Sequence, residues 1–212
     1  MKKIIQNTIL NDDIIMKKII LILSLLTLCL SSFSQTTENN DLKIVIENLN
    51  RTKVDLIKAT DNLTPAQWNF KESSERWSIA EIVEHLSIWE ILWNKVLQVM
   101  TQNKPQPELR ATCLPDSYYK GFIMEEKQHV SAEITHPRGF IKDQNTIVWF
   151  TKFRDINIKF AENLKIDMRD YFERTAMPNP RNMYNVYIYV WGHIDRHIRQ
   201  INKVKAHPNY PK

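Results

Sequence analysis

Val190-Trp191-Gly192-His193-Ile194-Asp195-Arg196-His197-Ile198-Arg199-Gln200-Ile201, close to the C-terminus, decides how the rest of the chain is read. Around it, Met183, Val186, Val190, Ile194, Ile201 and Val204 recur at helical spacing and predict a helix over Asn182–Lys205. Four residues along a helix amount to about 40° of rotation and roughly 6 Å of rise, so His193 and His197 share one face. Both imidazoles can then converge on a single ion, which the alternation of a strand would not allow. A catalytic zinc-type site usually takes three protein ligands and leaves one position open, so the pair calls for a third ligand from elsewhere.

Working outward, the same period predicts three further long helices. From about Asp41 to Asp61, Leu42, Leu49, Leu56 and Leu63 recur in heptads, with Val45, Ile46 and Ile57 beside them. The run Asn62-Leu63-Thr64-Pro65 ends this helix, because proline disfavours a helical residue before it, and Pro65 then opens a new turn at the first helical position. Ser78-Ile79-Ala80-Glu81 has the form of a capping box. It opens a helix to about Gln102 whose stripe is Ile79, Ile82, Val83, Leu86, Trp89, Trp93, Val96, Leu97 and Met100. Asp143 to Leu164 makes another, with Ile147, Phe150, Phe153, Ile156, Phe160 and Leu164 on one face.

Between the second and third long helices, Thr101 to about Ile141 is a connection holding Pro105, Pro107, Pro115, Pro137, Gly121 and Gly139. A connection of that length is functional or a crossover. A short helix from Ser117 to about Ile134 fits within it, and His207-Pro208-Asn209-Tyr210-Pro211 reads as an extended tail. The expected fold is therefore an all-α four-helix bundle with a long crossover between helices 2 and 3. Only three glycines occur, so no turn-rich β fold and no glycine-rich phosphate loop is expected.

The N-terminus reads as an address. Met16-Lys17-Lys18, the short apolar run Ile19–Leu30 and the small residues Ser32 and Ser34 before Gln35 follow the secretory pattern. The run is shorter than the roughly 20 apolar residues of a membrane span. Residues 16–34 are expected to be a signal peptide, 1–15 a misassigned upstream start, and 35–212 the mature domain, periplasmic or secreted. An uncleaved leader would instead anchor the chain to the membrane. Removing residues 1–34 lowers the net charge from +5 to +3, mild and dispersed, which argues against nucleic-acid binding. The mature chain keeps only Cys113, so it has no internal disulfide, and that thiol reads as a bystander.

His85 lies inside the stripe of the second helix. By itself it reads as a hydrogen-bonded core histidine, since a core ring needs partners for both nitrogens. In a bundle, where sites are built from facing helices, it becomes the third ligand to His193 and His197. Three neutral imidazoles leave an ion's charge uncompensated and so acidify a coordinated water. Each ring's second nitrogen needs an orienting partner, for which Glu81 and Asp195 are candidates. His129 and His136 sit in polar context and read as solvated. Glu81 and Glu90 are candidate general bases, but no catalytic residue is assigned.

Arg76-Trp77-Ser78-Ile79-Ala80-Glu81-Ile82-Val83-Glu84-His85-Leu86, with His193-x-x-x-His197-x-x-Gln200-Ile201 and the terminal His207-Pro208, resembles the DinB-like superfamily over about residues 40–211. The resemblance implies an up-down-down-up bundle and a divalent metal, commonly zinc or nickel, held at His85, His193 and His197. It also implies enzymes such as thiol S-transferases using bacillithiol or mycothiol, and maleylpyruvate isomerases. The export pattern departs from the thiol chemistry, which belongs where thiols are kept reduced. The expectation is thus an exported metal-dependent hydrolase or transferase for a small-molecule substrate. The alternatives are a non-enzymatic metal- or ligand-binding bundle and a thiol S-transferase. Tyr184, Tyr187 and Tyr189 suggest a partner surface, compatible with a homodimer.

Overall fold

Capping side chains set where the helices begin. In the computed structural model, which describes residues 40–127, 129–173 and 179–212, helix α1 covers residues 40–59 and α2 covers Pro65–Asn69. Helix α3 is Ile79–Thr101, α4 is Asp116–Met124, α5 is Asn145–Glu162 and α6 is Met183–Lys205. Thr64, Ser78 and Asn182 each accept from the backbone N–H three residues on, while Gln67, Glu81 and Asn185 reach back to the cap. These reciprocal bonds satisfy amides that a helix start otherwise leaves without partners. The expected leader and upstream start fall on residues outside those described. No helix of the described residues is long and apolar enough to cross a membrane.

Helix α1 stops before Pro65 can act on it. Asn62 takes a left-handed φ of 54°, and the Thr60 hydroxyl donates to Leu56 O. The buried side of α1 is Val45, Leu49, Thr52 and Leu56, whereas Ile57 is exposed and Leu63 lies in the turn beyond.

Cross-helix pairs fix the helix directions. Ser87, Glu90 and Asn94 on α3 meet Thr146, Arg154 and Asn157 on α5, so the two helices run parallel. Arg51 and Ala59 on α1 meet Asp195 and Lys205 on α6, so these two also run parallel. The His85 ring lies against His197 and the Trp89 ring against His193, which makes α3 antiparallel to α6. The order is up-down-down-up, with the long crossover between α3 and α5 that the proline-rich connection predicts.

The short helix of the crossover ends at Met124, ten residues earlier than the sequence suggested. Carbonyls that a longer helix would use internally are taken by α6: Arg196 donates to Ile123 O and Glu125 O, and Arg199 to Met124 O. Gly192 lets α4 approach α6, since a Cβ there would sit 2.6 Å from Ile123 Cγ2. The C-terminal segment is a turn rather than an extended tail. Tyr210 N donates to His207 O, and the Tyr210 ring packs edge-on to Phe70.

The apolar core falls into two clusters. One gathers Leu49, Trp93, Leu97, Met183, Tyr187 and Val190; the other gathers Leu56, Ile82, Leu86, Phe150, Ile194 and Ile201. Between them lies a polar waist of Thr52, Glu90, Arg154 and Asn157, all essentially inaccessible. The apolar face expected for α5 is corrected here: Arg154 and Asn157 occupy its buried middle, and Ile156 is exposed. Tyr184 and Tyr187 are core residues too, and Tyr189 is half-buried.

Candidate metal centre

The capping box of α3 and the antiparallel packing of α3 on α6 place His85 opposite His193 and His197, beside the polar waist. One ligand nitrogen from each ring lies within 4.8 Å of the others, so the three could hold a metal ion. His85 and His197 are buried, and His193 is half-buried. The nearest ring nitrogens of His193 and His197, both Nε2, are 3.0 Å apart. Tetrahedral zinc with bonds of about 2.0–2.1 Å spaces its ligand nitrogens by about 3.3 Å, so the triad lies within side-chain adjustment of that spacing.

The second ring nitrogens are accounted for in two cases. His85 Nδ1 lies 2.7 Å from Thr135 O, and His197 Nδ1 lies 2.8 Å from Gln200 Oε1. Carbonyl oxygens only accept, so both Nδ1 atoms carry the proton and both Nε2 lone pairs face the centre. This is the orientation that metal-ligating histidines use. Protonation does not compete at neutral pH. Burial brings the His85 pKa down to about 4, against the opposing hydrogen bond to Thr135. Burial, helped by the neighbouring His85, brings His197 to about 3. His193 is lowered well below its ordinary value, first by burial and then by His197 and His85. Three neutral imidazoles are a donor set suited to a divalent transition-metal ion.

Tryptophans wall the triad. The Trp77 ring centroid is 4.8 Å from that of His85, and Trp89 lies edge-on to both His85 and His193. Trp93 stacks on Trp89 at 4.9 Å.

The carboxylates expected to orient or assist the triad are engaged elsewhere. Glu81 accepts from the Ser78 amide and pairs with Lys71 at 2.8 Å. Asp195 is held by Arg51 at 2.9 and 2.8 Å. Glu90 is buried and accepts from Arg154 and Asn157, so it is not free to act as a general base. The roles of Thr135 and Gln200 were not read from the sequence. Gln200 was legible, three residues beyond His197 on the same helix face. Thr135 was not, because nothing local places a loop carbonyl against a ring 50 residues away.

No other histidine and no cysteine among the described residues joins the triad, although His136, next to Thr135, is close enough to His85 to help lower its pKa. His129 is exposed and pairs with Glu125 at 2.7 Å, while His136 is half-buried beside Trp77 rather than fully solvated. Cys113 is half-buried, accepts from Asn182 Nδ2, and burial pushes its thiol pKa up.

The DinB superfamily pattern matches residues 48–201, spanning α1 through α6. None of the curated proteins matches the chain. Among solved structures, the chain is similar to YfiT from Bacillus subtilis, a probable metal-dependent hydrolase with an unusual four-helix bundle topology. The identity is 13%, the likeness covers 80% of this chain and 89% of that one, and the TM-score is 0.49. The family match takes in most of the chain, the three histidines and the helices that carry them: this protein belongs to the DinB superfamily.

Proposed function

We propose that the protein is an exported, metal-dependent hydrolase or transferase acting on a small molecule, with a zinc or nickel ion held by His85, His193 and His197. The observation that carries this reading is the convergence of three neutral imidazoles within 4.8 Å. Among the described residues no other histidine, cysteine, aspartate or glutamate joins the set, and His193 keeps partial access to solvent. Three ligands with an open side suit a catalytic centre better than a closed structural one. When bound, the ion supplies a Lewis acid. The chain's own residues do the rest: Thr135 and Gln200 hold two rings in the ligating tautomer, and Trp77 and Trp89 limit access of water. Export rests on the leader pattern of residues 16–34, which would make 35–212 the working domain.

Metal analysis of the purified protein tests the reading. About one equivalent of zinc or nickel is expected in the wild type and none in His193→Ala. A wild type free of divalent ion after loading, or unchanged binding in the variant, would overturn it. A screen of ester, amide and electrophilic group-transfer substrates on the loaded protein then separates hydrolase from transferase. N-terminal sequencing of the exported form tests cleavage before Gln35.

A further inference from the structure

Glu84 and His85 are neighbours on α3, so their side chains leave the helix about 100° apart and cannot meet. Both nevertheless grip the same piece of crossover. The Glu84 carboxylate is 3% exposed and accepts from the amides of Gly139 and Phe140 at 2.9 and 3.1 Å. Four residues before Gly139 on that loop, Thr135 O accepts from His85 Nδ1 at 2.7 Å. The loop thus wraps α3 and is tied to it at both ends. Gly139 has a φ of +68°, a left-handed conformation that turns its amide and the next one toward a single acceptor. Thr135 is fully buried, and its hydroxyl and amide both donate to Ala132 O, which pins the turn that presents its carbonyl to the histidine.

We propose that Glu84 is a positioning residue for the ligand His85. By holding the Gly139 and Phe140 amides, it keeps the Thr135 carbonyl on Nδ1, and that carbonyl keeps the His85 proton on Nδ1 and the Nε2 lone pair toward the centre. A buried carboxylate is costly unless hydrogen-bonded. These two amides hold it in place, and it in turn fixes the Gly139–Phe140 end of the loop whose other end rests on His85. The inference rests on the metal reading above for its consequence, but its geometry can be tested without any ion.

The test uses Glu84→Gln, which keeps the shape but opposes an amide NH2 to one of the two loop amides, and Gly139→Ala, which disfavours the left-handed turn from the other side. In metal-free protein, two-bond nitrogen–proton NMR of the His85 ring reports its tautomer. Wild type is expected to hold the Nδ1–H form, and each variant to show a mixture. Zinc affinity by chelator competition, at a temperature where circular dichroism shows every protein folded, is expected to fall about 10-fold in each variant, the lower end of what a lost outer partner costs. A pure Nδ1–H tautomer in both variants overturns the proposal, as does unchanged zinc affinity. If wild type binds no zinc, the metal reading fails, and the tautomer measurement still decides the role of Glu84.

Discussion

Arg154 on α5 and Glu90 on α3 form a two-bond ion pair in the centre of the bundle, at 3.0 and 2.6 Å, with side chains 0% and 1% exposed. Thr52, Leu49 O and Val190 O accept further bonds from the guanidinium, and Asn157 completes the carboxylate. Every long helix therefore contributes to one buried network.

Breaking that pair from one side is expected to be severe. Glu90→Leu leaves a guanidinium buried without its counter-charge and should cost roughly 3–5 kcal/mol. Glu90→Leu combined with Arg154→Met removes both charges and should recover much of the loss. Urea denaturation followed by circular dichroism reads both, and a double variant no more stable than the single would contradict the account.

The triad makes the metal-free protein sensitive to acid. His85 and His197 have folded-state pKa values lowered to about 4 and about 3, so the unfolded chain takes up protons first. Their contribution is complete above the unfolded histidine value of about 6.5 and is lost as pH falls toward the folded values. Each contributes a slope of up to about 1.4 kcal/mol per pH unit in that window. Denaturation midpoints between pH 7 and 4.5 should fall steeply in the wild type and less steeply in His85→Gln.

Removing the ion should lower thermal stability without unfolding the chain. At a free-ion concentration 100 times Kd, binding to the folded state alone adds about 2.7 kcal/mol. Chelation should therefore lower the wild-type Tm by several degrees and leave that of His197→Ala unchanged. Scanning calorimetry with and without chelator makes the comparison.

Gly192→Ala is expected to destabilise despite the better helix propensity of alanine. The added methyl would meet Ile123 Cγ2 at 2.6 Å, and overpacking of this kind costs about 1–3 kcal/mol. The propensity gain of about 1 kcal/mol offsets only part of that cost. Trimming Ile123 to Ala in the same chain relieves the clash, so thermal melts should show the double variant losing less than the two single losses added together.

The helices and the His193–His197 pair were legible because both follow from local period, whereas His85 joined them only through the bundle architecture and the family resemblance. Ser78 with Glu81, and His193 with His197, lie within one helical turn of each other, and the chain's own geometry brings them together. What escaped depends on contacts between distant segments. Arg154 and Asn157 look like solvent-facing residues on α5 until Glu90 is placed opposite them. The end of α4 is set by Arg196 and Arg199, some 70 residues later. Glu81 looked like an orienting carboxylate because it is one turn from His85, yet the capping box had already claimed it.

The polar waist also restricts how the helices can be seated. Two purely apolar faces tolerate sliding, since one buried leucine replaces another at little cost. Sliding α5 by one turn, about 5.4 Å, would move Arg154 away from Glu90 and strand both charges. The same slip of α6 would withdraw the Val190 carbonyl from Arg154 and pull His193 and His197 away from His85. A bundle with α5 one turn out of place would therefore carry two unpaired charges in its core.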